Sequence, residues 1–189
     1  MIPLFLFSSS SLLCVFLASM IKPQNKIVDI IHENTQPVKF CYLSDIMIFL
    51  QVCYFMCKVN YSTISEFLLQ MSLLQLMRCV CFSSTVLPPL KKYSEKYRFG
   101  GINGSGTEYI FSGHACYSAL TSFYLYKLKF SSFLPLFFYN LVSQFSISLT
   151  RNHYTVDVVL SWIISVLLWS NINFCKNDPE CNKWLQKFL

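Results

Sequence analysis

Three side chains capable of acid–base chemistry lie at the edges of two apolar stretches. His114 ends the sequence Ser-Gly-His at residues 112–114, while His153 and Asp157 belong to the run RNHYTVD at residues 151–157. On a helix, residues four apart share a face, so the Asp157 carboxylate can accept a hydrogen bond from one nitrogen of the His153 imidazole. The other nitrogen then points outward. This spacing predicts a nucleophile or general acid–base group at the mouth of a helix.

The approach to His114 is rich in glycine. All five glycines of the chain fall within residues 100–113, which indicates a need for positive φ or for close approach of the backbone to a bulky group. A helix beginning near Ser112 would present unpaired N–H groups and its positive dipole end beside His114, an arrangement that suits a phosphate. A loop followed by an N-cap serine is the simpler alternative.

The apolar stretches predict the elements that position these residues. Of the 189 residues, 54% are hydrophobic and 13% are charged, and six apolar runs lie at about 2–21, 38–57, 66–87, 111–127, 131–150 and 154–174. Since a helix needs about 20 such residues to cross a bilayer, we expect an all-α, polytopic membrane helix bundle with about six transmembrane helices. A soluble bundle of buried helices is the alternative. We expect a single membrane domain over residues 1–189.

The order of these helices bears on the site. Spans four and five run out and back between His114 and His153, so both residues should return to one face of the membrane.

The first span is either a retained helix or a cleaved signal, and the retained helix is favoured because no Lys or Arg precedes its apolar run. The distribution of Lys and Arg does not decide the membrane orientation.

Composition also excludes several classes of protein. A net charge of +6 fits contact with anionic head groups, but the basic residues are scattered rather than clustered in a nucleic-acid patch. Cysteines within predicted spans behave as small hydrophobes, so we expect no disulfide framework from Cys14, Cys53, Cys57, Cys79, Cys81 and Cys116. No cysteine pair has a second pair or a histidine at zinc spacing, and we expect no metal site.

Several other polar residues are ambiguous. Arg78, inside an apolar stretch, is either functional or a snorkelling or ion-paired structural residue. Glu108 either supports acid–base chemistry or caps the fourth helix. His32 lies in the polar first loop, where we expect it to be solvated and outside the site.

These motifs resemble the sphingomyelin synthase family, within the wider lipid phosphatase and phosphotransferase (PAP2-like) superfamily. The sequence FSGH at 111–114 looks like one family motif and HYTVDVV at 153–159 looks like another, while LMR at 76–78 followed by TVLP at 85–88 is a weaker match. The resemblance covers residues 61–170, as a family-like catalytic core. It departs from the family at 106–108, where Gly-Thr-Glu stands in place of the common Cys-Gly-Asp.

The resemblance implies a ceramide phosphotransferase that uses a phosphohistidine intermediate. His153, held by Asp157, would take the phospho-head group from a glycerophospholipid, and His114 would exchange protons with diacylglycerol and ceramide. The substrate-binding residues would be Ser112, Gly113, Arg151, Glu108 and Arg78. No cofactor or metal is implied.

The partners would be membrane lipids, with no nucleic acid, in the Golgi, endoplasmic reticulum or plasma membrane. A lipid phosphate phosphatase, in which water replaces ceramide, would use the same three residues. The Tyr-Thr pair between His153 and Asp157 favours transfer. A non-catalytic lipid-binding protein is the third alternative. Neither the head group nor the oligomeric state can be derived from these residues.

Overall fold

The computed structural model describes residues 2–20, 29–36, 38, 42–85, 87, 90, 98–99, 102–103, 110–179 and 182. Within these residues the chain is helical apart from one short strand pair. The elements are α1 (Ile2–Met20), α2 (Ile30–Asn34), α3 (Leu43–Lys58), α4 (Tyr61–Ser84), β1 (Arg98–Phe99), β2 (Ile102–Asn103), α5 (Gly113–Lys127), α6 (Phe133–Leu149) and α7 (Thr155–Asn177). The two strands pair antiparallel in the glycine-rich region. The all-α prediction is confirmed.

Each predicted apolar stretch corresponds to one of the six longer helices. The largest differences are the start of α3, at Leu43 rather than near 38, and the start of α4, at Tyr61 rather than near 66. The α4 helix begins early because the Asn60 side chain accepts hydrogen bonds from the backbone N–H and the hydroxyl of Thr63. This N-cap adds a polar first turn that an apolar pattern does not reveal.

The α5 helix lies at the centre of the bundle and packs against α3, α4, α6 and α7. Its buried residues Cys116, Leu120 and Tyr124 form a core cluster that also contains Phe55 and Phe67. The α1 helix packs along α4. Central burial of α5 means that its N-terminus, which carries His114, is surrounded by other helices.

The interior of the bundle is unusually polar and its outer surface is apolar. The Ser118 hydroxyl on α5 bonds the side-chain oxygens of Gln51 on α3 and Asn140 on α6, and we call these three side chains the interior polar network. Large apolar side chains face outward on several helices, among them Phe5, Phe49, Leu50, Val80, Phe133, Phe138 and Leu167. Such a distribution is expected where lipid, not water, surrounds a bundle, because small polar residues then join the helices.

Among the described helices, α4 and α7 are long and apolar enough to cross a membrane. The apolar run Leu4–Leu13 and the α6 helix are shorter. The fold is therefore consistent with a helical membrane bundle.

The described cysteines differ in their state. Cys53, Cys57, Cys79, Cys81 and Cys116, in α3, α4 and α5, are reduced thiols. Cys175, near the end of α7, is disulfide-bonded, and this bond was not expected from the sequence.

Candidate active site

The His153–Asp157 pair forms where α7 begins. His153 lies in the turn before Thr155, and Asp157 lies in the first turn of the helix. The His153 Nδ1 and Asp157 Oδ2 atoms are 3.6 Å apart, a distance suited to a charge pair rather than a direct hydrogen bond. The same Oδ2 accepts a 3.0 Å hydrogen bond from the Tyr154 backbone N–H, as the carboxylate of a capping box does. Asp157 thus caps the start of the helix and lies beside the histidine ring.

The beginning of α5 lies against the beginning of α7. Ser112 is the N-cap of α5, since its Oγ accepts from the Ala115 N–H, and its own N–H donates to the Asp157 carbonyl over 3.3 Å. The Ser161 hydroxyl bonds both helix starts, with distances of 2.9 Å to the Ser112 carbonyl and 2.6 Å to the Asp157 carbonyl. The helix therefore begins next to Ser112, as predicted, and Ser112 is its N-cap.

The two predicted histidines are neighbours. The ring centroids of His114 and His153 are 6.0 Å apart, at an interplanar angle of 58°. His153 is almost fully buried, with 7% of its side chain exposed, whereas 43% of the His114 side chain is exposed. One imidazole is therefore enclosed and the other is open to molecules that enter the site.

Asp45 is a site residue that the sequence reasoning missed. It lies in the first turn of α3, and its Oδ1 is 2.9 Å from the Nε2 of His114. Each histidine of the site consequently has a carboxylate partner. The available signal was the position of Asp45 inside a predicted span, because ionisable residues within membrane spans are often functional.

Arg78 reaches the start of α5 from α4. Its Nε donates a 2.8 Å hydrogen bond to the Phe111 carbonyl. Its Nη1 would lie 3.4 Å from a Cβ added at Gly113, which is ordinary van der Waals contact. Arg78 is also close enough to interact electrostatically with Asp157. The guanidinium therefore places positive charge beside the N–H groups that precede His114.

Arg151 points toward the first loop. Its Nη2 donates to the carbonyls of His32 and Thr35 over 2.8 and 2.6 Å, and its backbone has a positive φ of 58°. Nearby, the Asn152 side chain donates to the Ser44 hydroxyl at the start of α3. The turn before His153 is thus tied to two other parts of the bundle.

The expectation that His32 is solvated was wrong. Only 10% of its side chain is exposed, and its ring stacks on Tyr154 with centroids 5.7 Å apart. Asp29 is buried next to it and accepts from the backbone N–H and the hydroxyl of Thr155 over 2.7 and 2.8 Å. Packing of the short α2 helix against the bundle removes both residues from solvent, which a polar loop sequence does not reveal.

The surroundings of Asp29 and His32 lower the pKa of both side chains. Burial alone would raise the pKa of the Asp29 carboxyl, but hydrogen bonds from Thr155 and His32 outweigh it and lower this pKa below its ordinary value. Burial lowers the pKa of the His32 imidazole, although the charge of Asp29 opposes the shift. The pair thus favours a charged Asp29 beside a neutral His32 near pH 7.

Two further predictions concern Glu108 and metal binding. Glu108 lies outside the described residues. In the part of the chain that the structure describes, no group of three or more His, Cys, Asp or Glu side chains is arranged to hold a metal ion.

Residues 106–174 match the family model PAP2 superfamily C-terminal. This match supports the PAP2-like level of the resemblance. The matched segment contains His114, His153 and Asp157, together with α5, α6 and most of α7. It fits a lipid phosphatase or phosphotransferase type of function. Asp29, Asp45 and Arg78 lie outside it. No curated protein matches the chain.

Proposed function

We propose that the protein is a multi-pass membrane phosphotransferase that moves a phospho-head group from a glycerophospholipid to ceramide. The observation that carries this proposal is the pairing of two histidines with two carboxylates, with the imidazole centroids 6.0 Å apart. One nucleophile and one proton carrier are the minimum that double displacement at phosphorus requires. The FSGH and HYTVDVV motifs support ceramide as the acceptor.

In the first step, His153 is the nucleophile. Asp157 lies on the Nδ1 side of the ring, so Nε2 is the nitrogen that attacks the phosphorus of the donor lipid. A P–N bond forms, the P–O bond to diacylglycerol breaks, and His114 donates a proton to the departing oxygen. The product is diacylglycerol together with a phospho-head group on His153.

In the second step, His114 acts as a general base instead of a general acid. It accepts the proton of the ceramide hydroxyl while that oxygen attacks phosphorus. A P–O bond to ceramide forms, the P–N bond to His153 breaks, and the nitrogen recovers its lone pair. Asp45, 2.9 Å from His114 Nε2, stabilises the imidazolium that exists before the first step and forms again in the second.

Negative charge on the phosphoryl oxygens requires donors near both histidines. The N–H groups at the start of α5 and the adjacent Arg78 guanidinium can supply them, because both lie beside Gly113. This placement supports the assignment of Gly113 and Arg78 to substrate binding. The role of Ser112 stays a prediction, because its N–H donates to the Asp157 carbonyl and its Oγ accepts from the Ala115 N–H. For Arg151 the role stays a prediction, since its Nη2 already bonds two carbonyls.

The proposed location is a bilayer, with the site at one membrane edge. The site residues come from the starts of α3, α5 and α7 and from the later part of α4. Apolar outer surfaces on α1, α3, α4, α6 and α7 support contact with lipid on most sides of the bundle. A lipid substrate would then reach the partly exposed side chain of His114 from the membrane. Golgi, endoplasmic reticulum and plasma membrane are the proposed compartments.

The decisive experiment incubates the purified protein with fluorescent ceramide and a defined donor phospholipid in proteoliposomes. Choline, ethanolamine and inositol phospholipids are supplied in separate reactions. A labelled phospholipid product supports transfer and identifies the head group. Release of phosphate from a lipid phosphate, without ceramide labelling, would replace transfer with the phosphatase alternative. Absence of both products from a folded protein would leave only a non-catalytic lipid-binding role.

A further inference from the structure

The turn that carries His153 is held on both sides by a part of the chain that is remote in sequence. We call residues 29–36 the first-loop segment. On one side of His153, Arg151 donates to the carbonyls of His32 and Thr35. On the other side, Thr155 donates twice to Asp29. The turn is therefore fixed at both of its ends by the same segment.

The start of α7 explains why Asp29 matters. The first N–H groups of a helix have no partner within the helix and need acceptors from elsewhere. Asp157 supplies one for Tyr154, and Asp29 supplies one for Thr155 over 2.7 Å. Two carboxylates thus share one helix start, and one of them lies 126 residues away in sequence.

The presence of two acceptors at the start of α7 affects the His153–Asp157 pair. The Oδ2 of Asp157 already accepts from Tyr154 and lies 3.6 Å from the His153 ring. Without Asp29, the Thr155 N–H would lose its acceptor in a partly buried site and would compete for the Asp157 carboxylate. Asp29 consequently leaves Asp157 available to the histidine.

We propose that Asp29 is a positioning residue, which fixes the start of α7 through Thr155 and thereby sets the orientation of His153 relative to Asp157. The proposal rests on the proposed function, in which His153 is the nucleophile. Asp29 does not touch the reacting atoms. It acts through Thr155, while the stack of His32 on Tyr154 keeps the segment in contact with the turn.

The test compares Asp29→Ala, Asp29→Asn and Glu33→Gln in the full-length protein. Asparagine is also a good capping residue, so Asp29→Asn should restore much of the function lost in Asp29→Ala. Glu33 is an exposed acidic residue of the same segment, and Glu33→Gln controls for the loss of one negative charge. Thr155→Val and Thr155→Ser provide the matching pair on the other side of the contact.

The first measurement is hydrogen–deuterium exchange of the peptide that contains Tyr154 and Thr155. We expect faster exchange in Asp29→Ala than in the wild type, and wild-type exchange in Glu33→Gln. The second measurement is the head-group transfer rate. We expect Asp29→Ala and Thr155→Val to lower kcat by about tenfold or more with an unchanged donor KM, because a small displacement of a nucleophile has a large effect on rate. Asp29→Asn and Thr155→Ser should recover most of this loss.

Wild-type exchange of the Tyr154–Thr155 peptide in folded Asp29→Ala would overturn the proposal. A wild-type kcat in that variant, or a loss confined to the yield of folded protein, would overturn it as well. If the wild-type protein transfers no head group, the proposed function fails, but the exchange measurement still decides whether Asp29 fixes the start of α7. The two failures are therefore distinguishable.

Discussion

Asp45 and His114 meet across the start of α3 and the start of α5, with the carboxylate Oδ1 2.9 Å from the imidazole Nε2. We predict that Asp45→Asn lowers kcat of head-group transfer by about a hundredfold, because proton transfer by a positioned side chain contributes about 10²–10⁴ to rate. The donor KM should change little. Steady-state kinetics in proteoliposomes measure both parameters.

Asp178→Asn is the matched control for this prediction, since Asp178 follows α7 at the end opposite the site. That variant should retain the wild-type kcat. Equal activity of both variants would remove Asp45 from the mechanism and leave its contact with His114 as a surface pair.

Substitution of His153 and substitution of His114 should affect formation of the covalent intermediate differently. We predict that His153→Ala forms no covalent intermediate with any donor, because the attacking nitrogen is absent. His114→Ala should still form the intermediate when the donor has an aryl leaving group, which needs no proton on departure. Mass spectrometry of the protein after incubation with donor alone detects the adduct on His153.

Recovery of the adduct in His153→Ala would assign the nucleophile to another residue. Failure of His114→Ala with the aryl donor, in a folded protein, would show that His114 is required before the leaving group departs.

The helical bundle was predictable from the sequence because length and hydropathy are local properties. The His153–Asp157 pair was equally accessible, since the two residues are only four apart in sequence, although His153 lies in the turn before α7 and not on the helix itself. The approach of His114 to His153 followed from the return of an antiparallel helix pair. These predictions required no knowledge of how distant segments pack.

The remaining partners depend on packing between segments far apart in the chain. Asp45 meets His114 only because α3 lies beside α5, and Asp29 meets Thr155 only because the first-loop segment packs against the turn before α7. The polar character of the first loop suggested exposure of His32, but α2 buries its ring against Tyr154. Charge type and spacing cannot predict contacts of this kind.

Gly113 provides a test of the phosphate position. An added Cβ would lie 3.4 Å from Arg78 Nη1, so alanine fits without displacing its neighbours. We predict that Gly113→Ala keeps or slightly raises the thermal stability, because alanine favours helix formation. The methyl group should nevertheless lower kcat/KM by about tenfold, since it occupies the space between the N–H groups and the guanidinium. A folded variant with wild-type kcat/KM would place the phosphate elsewhere.

The interior polar network should contribute to stability rather than to chemistry. Asn140 accepts a 3.1 Å hydrogen bond from Ser118 and donates to Ser122 and to the Leu136 carbonyl. We predict that Asn140→Ala lowers the free energy of unfolding by about 1–2 kcal/mol, the range expected for polar contacts between membrane helices. Unfolding in detergent measures this change, and kcat per folded molecule should remain near wild type.

Asn171→Ala is the matched control for Asn140→Ala, because Asn171 is exposed on α7 and donates only within its own helix, to the Leu167 carbonyl. Its unfolding free energy should stay close to that of the wild type. An equally small effect of Asn140→Ala would show that the network is not needed to hold α5 and α6 together.

His32 should make the protein less stable as the pH falls. Its pKa is lower in the folded protein than the ordinary value of 6.5, so the folded state binds fewer protons than the unfolded state in the window just below that value. The contribution of His32 to stability is therefore fully present above about pH 6.5 and is lost as the pH falls toward the folded-state pKa. The corresponding window for Asp29 lies below its ordinary value of 3.8, outside this range. Arg151, which also faces His32, stays charged throughout.

His32→Phe isolates this effect, because phenylalanine keeps an aromatic ring against Tyr154 and removes the titrating group. His114 and His153 remain in both proteins, so their contributions cancel in the comparison. We predict that the melting temperature falls more steeply between pH 7.5 and pH 5, about one unit or more either side of the ordinary histidine pKa, in the wild type than in His32→Phe. Parallel curves for the two proteins would mean that the His32 imidazole has the same pKa in the folded and unfolded states, and that burial by α2 does not shift its titration.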